Sequence, residues 1–155
     1  MKKWFFIVGI VVLIFIWQLL LIYRDFKSAE VAKAEDALAV AKSETNVASV
    51  LSVDYYPGDR GHHVITGKNR DGEKVVIWVQ DDDVWSERLS DGVSRDDILS
   101  QLPEANIKRI LPGLITEKNG EKRPIWDVYY TTEDGKAQYV YFDFFTGEQI
   151  QSISL

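Results

Sequence analysis

The chain has 155 residues, no cysteine and a formal net charge of −6. The lack of cysteine excludes disulfides, thiolate metal sites and cysteine nucleophiles. Residues 1–23 contribute only the charges of Lys2 and Lys3, so the remaining 132 residues carry −8. This acidic balance argues against binding to nucleic acid or to an anionic lipid surface.

The first element is an uncharged apolar segment, WFFIVGIVVLIFIWQLLLIY, at residues 4–23. Twenty helical residues rise about 30 Å, which matches the hydrocarbon core of a bilayer. The segment therefore predicts a single-pass membrane anchor over residues 1–23, with the aromatic side chains of Trp4, Trp17 and Tyr23 near the interfaces. Positive charges flank it on both sides, with Lys2 and Lys3 before it and Arg24 and Lys27 after it. Because the N-terminal tail is too short to be a domain, the simplest topology has an extracytoplasmic C-terminal domain.

Two other interpretations of this segment, a cleaved signal peptide and a buried core helix, fit less well. The apolar core of a signal peptide spans about 7–15 residues and is followed closely by a cleavage site of small residues. Here the core is longer, and the nearest small-x-small site, Ala32-Lys33-Ala34, comes about ten residues too late. A buried helix of a soluble protein rarely lacks charges for so long.

An Ala-rich segment with mixed charges, residues 24–46, follows the anchor. It lacks Gly and Pro and is rich in strong helix formers, so it predicts a helix that continues or closely follows the anchor. Its larger apolar residues Val31 and Leu38 form only a thin stripe. The helix is therefore a solvated spacer, a cover for a sheet, or one strand of a coiled coil.

From Val47 onward the pattern becomes that of antiparallel strands and turns in two cycles. The first cycle predicts strands at Val47–Tyr56, His62–Thr66 and Val75–Val79, with a turn at Asn69–Gly72 and an end at Asp81–Asp83. The second cycle predicts a short helix capped by Ser94 and stopped by Pro103, and then the strands Ile107–Thr116, Ile125–Thr131, Ala137–Phe144 and Gln149–Ile153. Pro112-Gly113 marks the strand from Ile107 as an edge or bulged strand.

The two cycles match at an offset of 63 residues, which places Ile65 on Val128 and Ile77 on Val140. Such an internal repeat predicts an α+β fold of two tandem units, each with a helix packed on a small antiparallel sheet. We place the boundaries at 24–92, for the helical stalk and first unit, and at 93–155, for the second unit.

Strand alternation assigns the faces of the two sheets. In the second unit Trp126, Val128 and Phe142 share the core face. The opposite face gathers aromatic residues from both units, which are Trp78, Tyr129, Tyr139 and Tyr141. Either the sister unit or the long helix covers this face, or it is an exposed surface that binds a partner.

These features resemble the YpmB/TseB-type cell wall elongation regulators of Gram-positive bacteria, which are built of PepSY-like units. The resemblance is carried by AEDALAVAKSET (34–45), HHVITGKNRDGEKVVIWV (62–79), VSRDDIL (93–99) and WDVYYTTEDGKAQYVYFDFFTGEQI (126–150). Asp143 followed by Thr146-Gly147 is similar to the PepSY strand–turn signature. In the first unit Asp82-Asp83-Val84-Trp85 stands in place of this turn.

The resemblance implies a single-pass protein whose ectodomain binds a penicillin-binding protein and regulates wall synthesis, with no catalysis and no cofactor. PepSY-type protease inhibition or folding modulation at the cell surface is the alternative that it implies. The aromatic face leaves open a third function, binding to glycan strands. Neither a small-molecule substrate nor nucleic acid is expected as a partner.

The remaining polar motifs argue against a metal or catalytic site. His62 and His63 are neighbours on a strand and point to opposite faces, so they do not readily share a metal ion. Asp81–Asp83 lack the Gly and the distal Glu of a calcium loop. Asp143 is predicted to cap a tight turn, and no nucleophile–base set or carboxylate pair stands out.

Overall fold

A computed structural model describes residues 2–58, 60–103 and 105–154 of the chain, without the side chains of residues 2–8, 26 and 29. The interfacial position predicted for the Trp4 side chain lies outside this description. The helices are α1 (Lys2–Glu44) and α2 (Arg95–Ser100), and the strands are β1 (Val47–Tyr56), β2 (His62–Asn69), β3 (Lys74–Gln80), β4 (Asp83–Arg88), β5 (Asn106–Thr116), β6 (Lys122–Thr131), β7 (Ala137–Asp143) and β8 (Gln149–Ser154). The chain separates into two compact units, residues 1–36 and residues 37–155.

The first unit is the N-terminal part of α1, where apolar side chains are exposed. Between Ile10 and Tyr23 the exposed fraction of these side chains is at least 37%. Among the described residues, α1 is the one helix that is long and apolar enough to cross a membrane. A core helix of a soluble protein would bury most of these side chains, so the exposure is consistent with the predicted membrane anchor.

The second unit contains two four-stranded antiparallel sheets. Sheet 1 has the strand order β1-β2-β3-β4, and sheet 2 has the order β5-β6-β7-β8. Ile65 pairs with Ile77 in sheet 1, and Val128 pairs with Val140 in sheet 2. These are the two pairs that the offset of 63 residues places on each other, so the structure confirms the repeat and the mixed helix-and-sheet fold.

Each sheet packs against a helix. Ala37 and Ala41 of α1 are buried against Ile65 and Ile77 of sheet 1, so this part of the helix covers a sheet, while Val31 remains 50% exposed. The small alanine side chains allow the helix backbone to lie close to the strands.

The second helix, α2, is fixed by its cap and by one buried side chain. The Ser94 side chain accepts a hydrogen bond from the Asp97 backbone N–H, as the sequence predicts for an N-cap. Ile98 is fully buried in the core beside Val128 and Phe142 of sheet 2.

The main core lies between the two sheets. Val64, Val76 and Trp78 of sheet 1 are fully buried there, together with Trp126 and Phe144 of the second repeat. The second repeat therefore covers the face of sheet 1 that points away from α1. Both faces of the central strands are covered, which explains why β3 is buried in all but its first residue and β2 at five of its eight residues.

Two edge strands complete the comparison with the prediction. β5 is an edge strand with a bulge between Ile107 and Arg109, as Pro112 indicated. Strand β4 was not predicted, because residues Asp82–Trp85 were assigned to the position that the Thr146-Gly147 turn occupies in the second unit. The chain instead turns at Asp81, whose φ of 53° is left-handed, and returns as a fourth strand.

Candidate partner-binding surface

The outer face of sheet 2 presents a pair of stacked tyrosines. Tyr129 of β6 and Tyr139 of β7 are direct cross-strand partners, and their ring centroids are 4.7 Å apart with an interplanar angle of 25°. Both side chains are half-buried. Cross-strand aromatic pairs stabilise a sheet by a fraction of a kcal/mol to about 1 kcal/mol, so the sheet holds these two rings in a fixed position.

An ion pair supports the tyrosine stack from β5. Arg109 is the cross-strand partner of Tyr129, and its Nη2 lies 3.0 Å from Oδ2 of Asp127. The guanidinium carbon is 6.0 Å from the Tyr139 ring centroid, within the range of a cation–π contact. Arg109 thus connects the buried carboxylate to the aromatic pair.

Asp127 is an unusual residue for the middle of a sheet, because only 3% of its side chain is exposed. Burial raises the pKa of this carboxyl, and the charge and hydrogen bond of Arg109 oppose that rise. Oδ1 of Asp127 and Nε of Arg109 are both buried without a hydrogen-bond partner. The stability of the ionised carboxylate therefore depends mainly on one contact, the contact with Arg109.

Tyr141 lies at the other end of this face, opposite Asp127. The buried hydroxyl of Tyr56, from the end of β1, lies beside Asp127 and Tyr141. Burial raises the pKa of Tyr56, and both neighbours raise it further. Tyr141 is half-buried and interacts with Tyr56, so the free part of the surface centres on Tyr129 and Tyr139.

The fourth residue predicted for this surface, Trp78, is not part of it. Trp78 is fully buried in the main core, and its indole Nε1–H donates to the Pro112 carbonyl oxygen at 3.2 Å. Its placement on an exposed aromatic face was therefore wrong. The sister repeat covers the aromatic face of sheet 1, whereas in sheet 2 the tyrosine pair is half-exposed.

The sequence pattern did not indicate that Arg109 belongs to this surface. The bulge between Ile107 and Arg109 shifts the register of β5, so simple alternation does not place its side chains reliably. The available signal was the acidic Asp127 in an otherwise apolar strand. A buried carboxylate requires a cationic partner nearby, and the neighbouring strand β5 carries Lys108 and Arg109.

Asp143 caps the turn after β7, as predicted. Its Oδ1 accepts hydrogen bonds from the backbone N–H groups of Phe145 and Thr146, each at 2.9 Å. Its Oδ2 lies 2.7 Å from Nη2 of Arg123. Gly147 adopts a φ of 71° in this turn, a conformation that favours glycine.

The two histidines lie on opposite faces of β2. His62 is 2% exposed and its ring lies 4.9 Å from that of Tyr56, whereas the ring of His63 meets Tyr55 edge-on at 5.5 Å. In the described part of the chain, no three His, Asp or Glu side chains are grouped so that they could hold a metal ion.

Comparison with known proteins gives four similarities, of which three are informative. Residues 36–80 match the family model "Cell wall elongation regulator TseB-like domain". The chain is 27% identical over 148 residues to the probable cell wall elongation regulator TseB of Bacillus subtilis (strain 168), covering 92% of this chain and 91% of that protein. The solved structure of the YpmB protein from Bacillus subtilis, also 27% identical, superposes with a TM-score of 0.66 over 78% of this chain and 96% of that chain.

A fourth similarity is more remote. The C-terminal domain of YpeB from Bacillus megaterium is 13% identical, with a TM-score of 0.38 over 79% of this chain and 65% of that chain. At this distance it supports no conclusion. The family model, the curated relative and the YpmB structure together confirm the resemblance that the sequence motifs indicated.

Proposed function

We propose that this chain, which carries a TseB-like domain, is a membrane-anchored, extracytoplasmic regulator of cell wall elongation that binds a penicillin-binding protein. The observation that supports the regulatory role is the similarity to TseB over 92% of the chain. A similarity of that extent includes both the apolar helix and the two sheets, so the proposal concerns the whole chain.

The anchoring part of the proposal rests on α1. Its exposed apolar residues from Ile10 to Tyr23 would be unstable in water, because each fully exposed large side chain forfeits about 1.5–3 kcal/mol of burial free energy. A bilayer supplies that burial. Arg24 and Asp25 then mark the exit of the helix from the hydrocarbon region.

The binding part of the proposal rests on Tyr129, Tyr139 and Arg109. Tyrosine and arginine are enriched among the residues that contribute most to binding free energy at protein interfaces. Here the sheet, the cross-strand stack and the ion pair with Asp127 hold both residue types in place, so little conformational entropy is lost on binding. We propose that Tyr129, Tyr139 and the adjoining part of Tyr141 form the contact surface.

We further propose that the protein acts by binding and not by catalysis. The name of its relative describes a regulator, and the candidate surface offers aromatic rings and one paired arginine rather than a nucleophile with a base. A regulator of this kind needs a fixed surface, and the tyrosine stack supplies it.

The proposal is tested by capturing partners from membranes with the full-length chain in detergent. Penicillin-binding proteins become covalently labelled by fluorescent penicillin, so a captured partner is visible directly on a gel. We expect the wild type to retain a labelled protein, and the double variant Tyr129→Ser/Tyr139→Ser to retain at least about 10-fold less, because truncating an interface hot spot typically costs 2 kcal/mol or more. Tyr55→Ser is the matched control, since Tyr55 is 53% exposed on β1 of the other sheet.

The two parts of the proposal fail in different ways. If the wild type retains no penicillin-labelled protein under any condition, the partner class is wrong. If the double variant is folded and retains as much as the wild type, the surface is wrong while the partner class stands. Near-ultraviolet circular dichroism of each variant establishes folding.

A further inference from the structure

The two sheets meet along a seam that a few side chains cross. Tyr56, the last residue of β1 in sheet 1, packs directly on the backbone of sheet 2 at Gly113, where a Cβ atom would lie only 2.9 Å from the tyrosine ring. The Trp78 indole donates across the same seam to the Pro112 carbonyl oxygen. Sheet 2 thus offers glycine and proline backbone at the place where the large rings of sheet 1 make contact.

Lys122, the first residue of β6, forms a second connection across the seam. Its Nζ donates a hydrogen bond to the side-chain carbonyl of Gln80 in β3 and lies 5.2 Å from the ring centroid of Trp85 in β4. The amide of Gln80 in turn donates to the Arg60 carbonyl oxygen at 2.6 Å. This chain of contacts links the start of β6 to the loop before β2.

His62 lies where these two connections converge. It is the first residue of β2, the cross-strand partner of Tyr56, and 2% exposed. Its ring lies 4.9 Å from that of Tyr56, and its Nε2 is buried without a hydrogen-bond partner. A neutral imidazole is tolerated there, whereas an imidazolium would have a buried N–H with no acceptor.

The charged and titratable groups around His62 do not stabilise the positive charge that the ring gains on protonation. Lys122 of β6 and His63 of β2 both disfavour the charged ring, Tyr56 of β1 presents a ring, and only the Arg60 backbone favours the charge. No carboxylate among the described residues contributes. Desolvation is the largest effect and, together with Lys122 and His63, lowers the pKa of His62 to about 4.

We propose that His62 makes the closure of the seam pH-sensitive: the neutral ring packs beside Tyr56 and supports its contact with Gly113 of sheet 2, and protonation of the ring weakens that contact. The direction of the effect follows from linkage. The open or unfolded form, with a pKa near 6.5, takes up the proton before the closed form does. The closure of the seam is therefore fully favoured above about pH 6.5 and weakens as the pH falls toward 4.

The test follows the full-length chain in detergent micelles from pH 7.5 to pH 4.5. The indole N–H resonance of Trp78, assigned by its loss in Trp78→Phe, reports the hydrogen bond to Pro112 and hence the closed seam. We expect this resonance to weaken or shift reversibly as the pH falls, and the midpoint of thermal unfolding to fall by several degrees. In His62→Phe, which keeps a ring beside Tyr56 but cannot gain a proton, both observables should change much less.

His63→Gln is the matched control, because His63 is the adjacent and only other histidine and lies on the opposite face. It should behave nearly like the wild type, because His63 makes the smallest of the contributions to the pKa of His62. If His62→Phe does not fold, His62→Gln takes its place, and the imidazole resonances of the wild type report the protonation of His62 directly. The proposal would be overturned if the His62 variants showed the same pH dependence as the wild type. It would also be overturned if His62 took up its proton near pH 6.5 without any change in the Trp78 resonance.

Discussion

The indole Nε1–H of Trp78 in β3 donates to the backbone carbonyl of Pro112 in β5 at 3.2 Å, and this buried hydrogen bond joins the two sheets. Pro112 has no N–H and lies on the edge strand of sheet 2. Its carbonyl is buried at the seam and needs a donor from elsewhere, since an unsatisfied buried acceptor costs about 1–3 kcal/mol. Trp78 is fully buried and supplies that donor.

Replacement of this tryptophan should therefore be costly. We expect Trp78→Ala to lower the free energy of unfolding by about 3–5 kcal/mol, since it removes a large core side chain and leaves a cavity. Trp78→Phe, which loses the hydrogen bond and part of the ring, should cost about 2 kcal/mol. Urea unfolding of the full-length chain in detergent measures both values.

The control for this prediction is Trp85→Phe. Trp85 lies on the neighbouring edge strand β4 and is half-buried, so its replacement should cost about 1 kcal/mol or less. Trp78→Ala with a loss as small as that of Trp85→Phe would contradict the buried position of Trp78.

The position of Trp78 also shows which features could be predicted from the sequence and which could not. Hairpins, caps and turns depend on neighbouring residues, and the patterns around Gly72, Ser94 and Gly135 located them correctly. Alternation also placed Trp78 on the correct face of sheet 1, away from α1. It could not indicate what covers that face, because this depends on contacts between residues that are far apart in the chain, such as Trp78 and Pro112.

The same limit applies to the candidate surface. Alternation predicted that Tyr129 and Tyr139 share a face, and the hairpin turn at Gly135 fixes the register that makes them direct partners. Arg109 was missed because a bulge changes its register. The face on which each side chain lies could therefore be predicted from the sequence for the hairpin, but not for the bulged edge strand.

The Arg109–Asp127 ion pair predicts a strong asymmetry between single and double substitutions. Arg109→Met leaves the buried Asp127 carboxylate without its counterion, and we expect a loss of about 2–3 kcal/mol in the free energy of unfolding. This value is below that of a fully buried pair because 32% of the Arg109 side chain is exposed. Arg109→Met/Asp127→Leu should recover at least half of the loss, since it removes both the charge and its desolvation cost.

Urea unfolding at pH 7 of the wild type, Arg109→Met, Asp127→Leu and the double variant completes a double-mutant cycle. Additive losses in the double variant would mean that the two side chains do not interact. A control pair is Lys136→Met/Asp134→Leu, because both of these side chains are more than half exposed and their ion pair should contribute little.

The turn at Asp143 predicts a further loss of folding stability at acidic pH, in addition to the one proposed for His62. Burial favours the protonated carboxyl, but the backbone N–H of Thr146, the Arg123 side chain and the backbone N–H of Phe145 together hold the pKa of Asp143 below its usual value. The unfolded chain thus takes up this proton first as the pH falls. The stabilisation from Asp143 is present above about pH 4 and is lost below it.

Asp143→Asn should lower the stability at pH 7 and flatten the pH dependence below about pH 4, as measured by thermal unfolding between pH 7 and pH 2.5. We expect a loss of about 1–3 kcal/mol at pH 7, because charge-assisted hydrogen bonds to Arg123 disappear. Asp134→Asn, in the exposed turn before Gly135, is the comparison and should have a much smaller effect. If both variants lost the same free energy of unfolding, the contacts of Asp143 would stabilise the protein no more than those of an exposed turn residue.

The absence of cysteine allows a direct test of the anchor with single-cysteine variants. If residues 1–23 form an uncleaved anchor with an extracytoplasmic C-terminal domain, Ser90→Cys should react with a membrane-impermeant maleimide in intact protoplasts. Trp4→Cys should react only after lysis, because Trp4 is the first residue of the apolar segment and lies at its cytoplasmic end in this topology. Ser90 is exposed in the described structure, so a failure to react would reflect topology rather than burial.

The mass of the labelled protein separates an anchor from a cleaved signal. An uncleaved chain keeps its full 17.8 kDa and stays with the membrane after a carbonate wash. A cleaved chain would be shorter and would leave the protoplasts, because the exposed apolar side chains from Ile10 to Tyr23 are the only described feature long and apolar enough to retain it. Retention at full mass, with the predicted labelling at Ser90 and Trp4, would place the tyrosine pair on the side of the membrane where the cell wall is built.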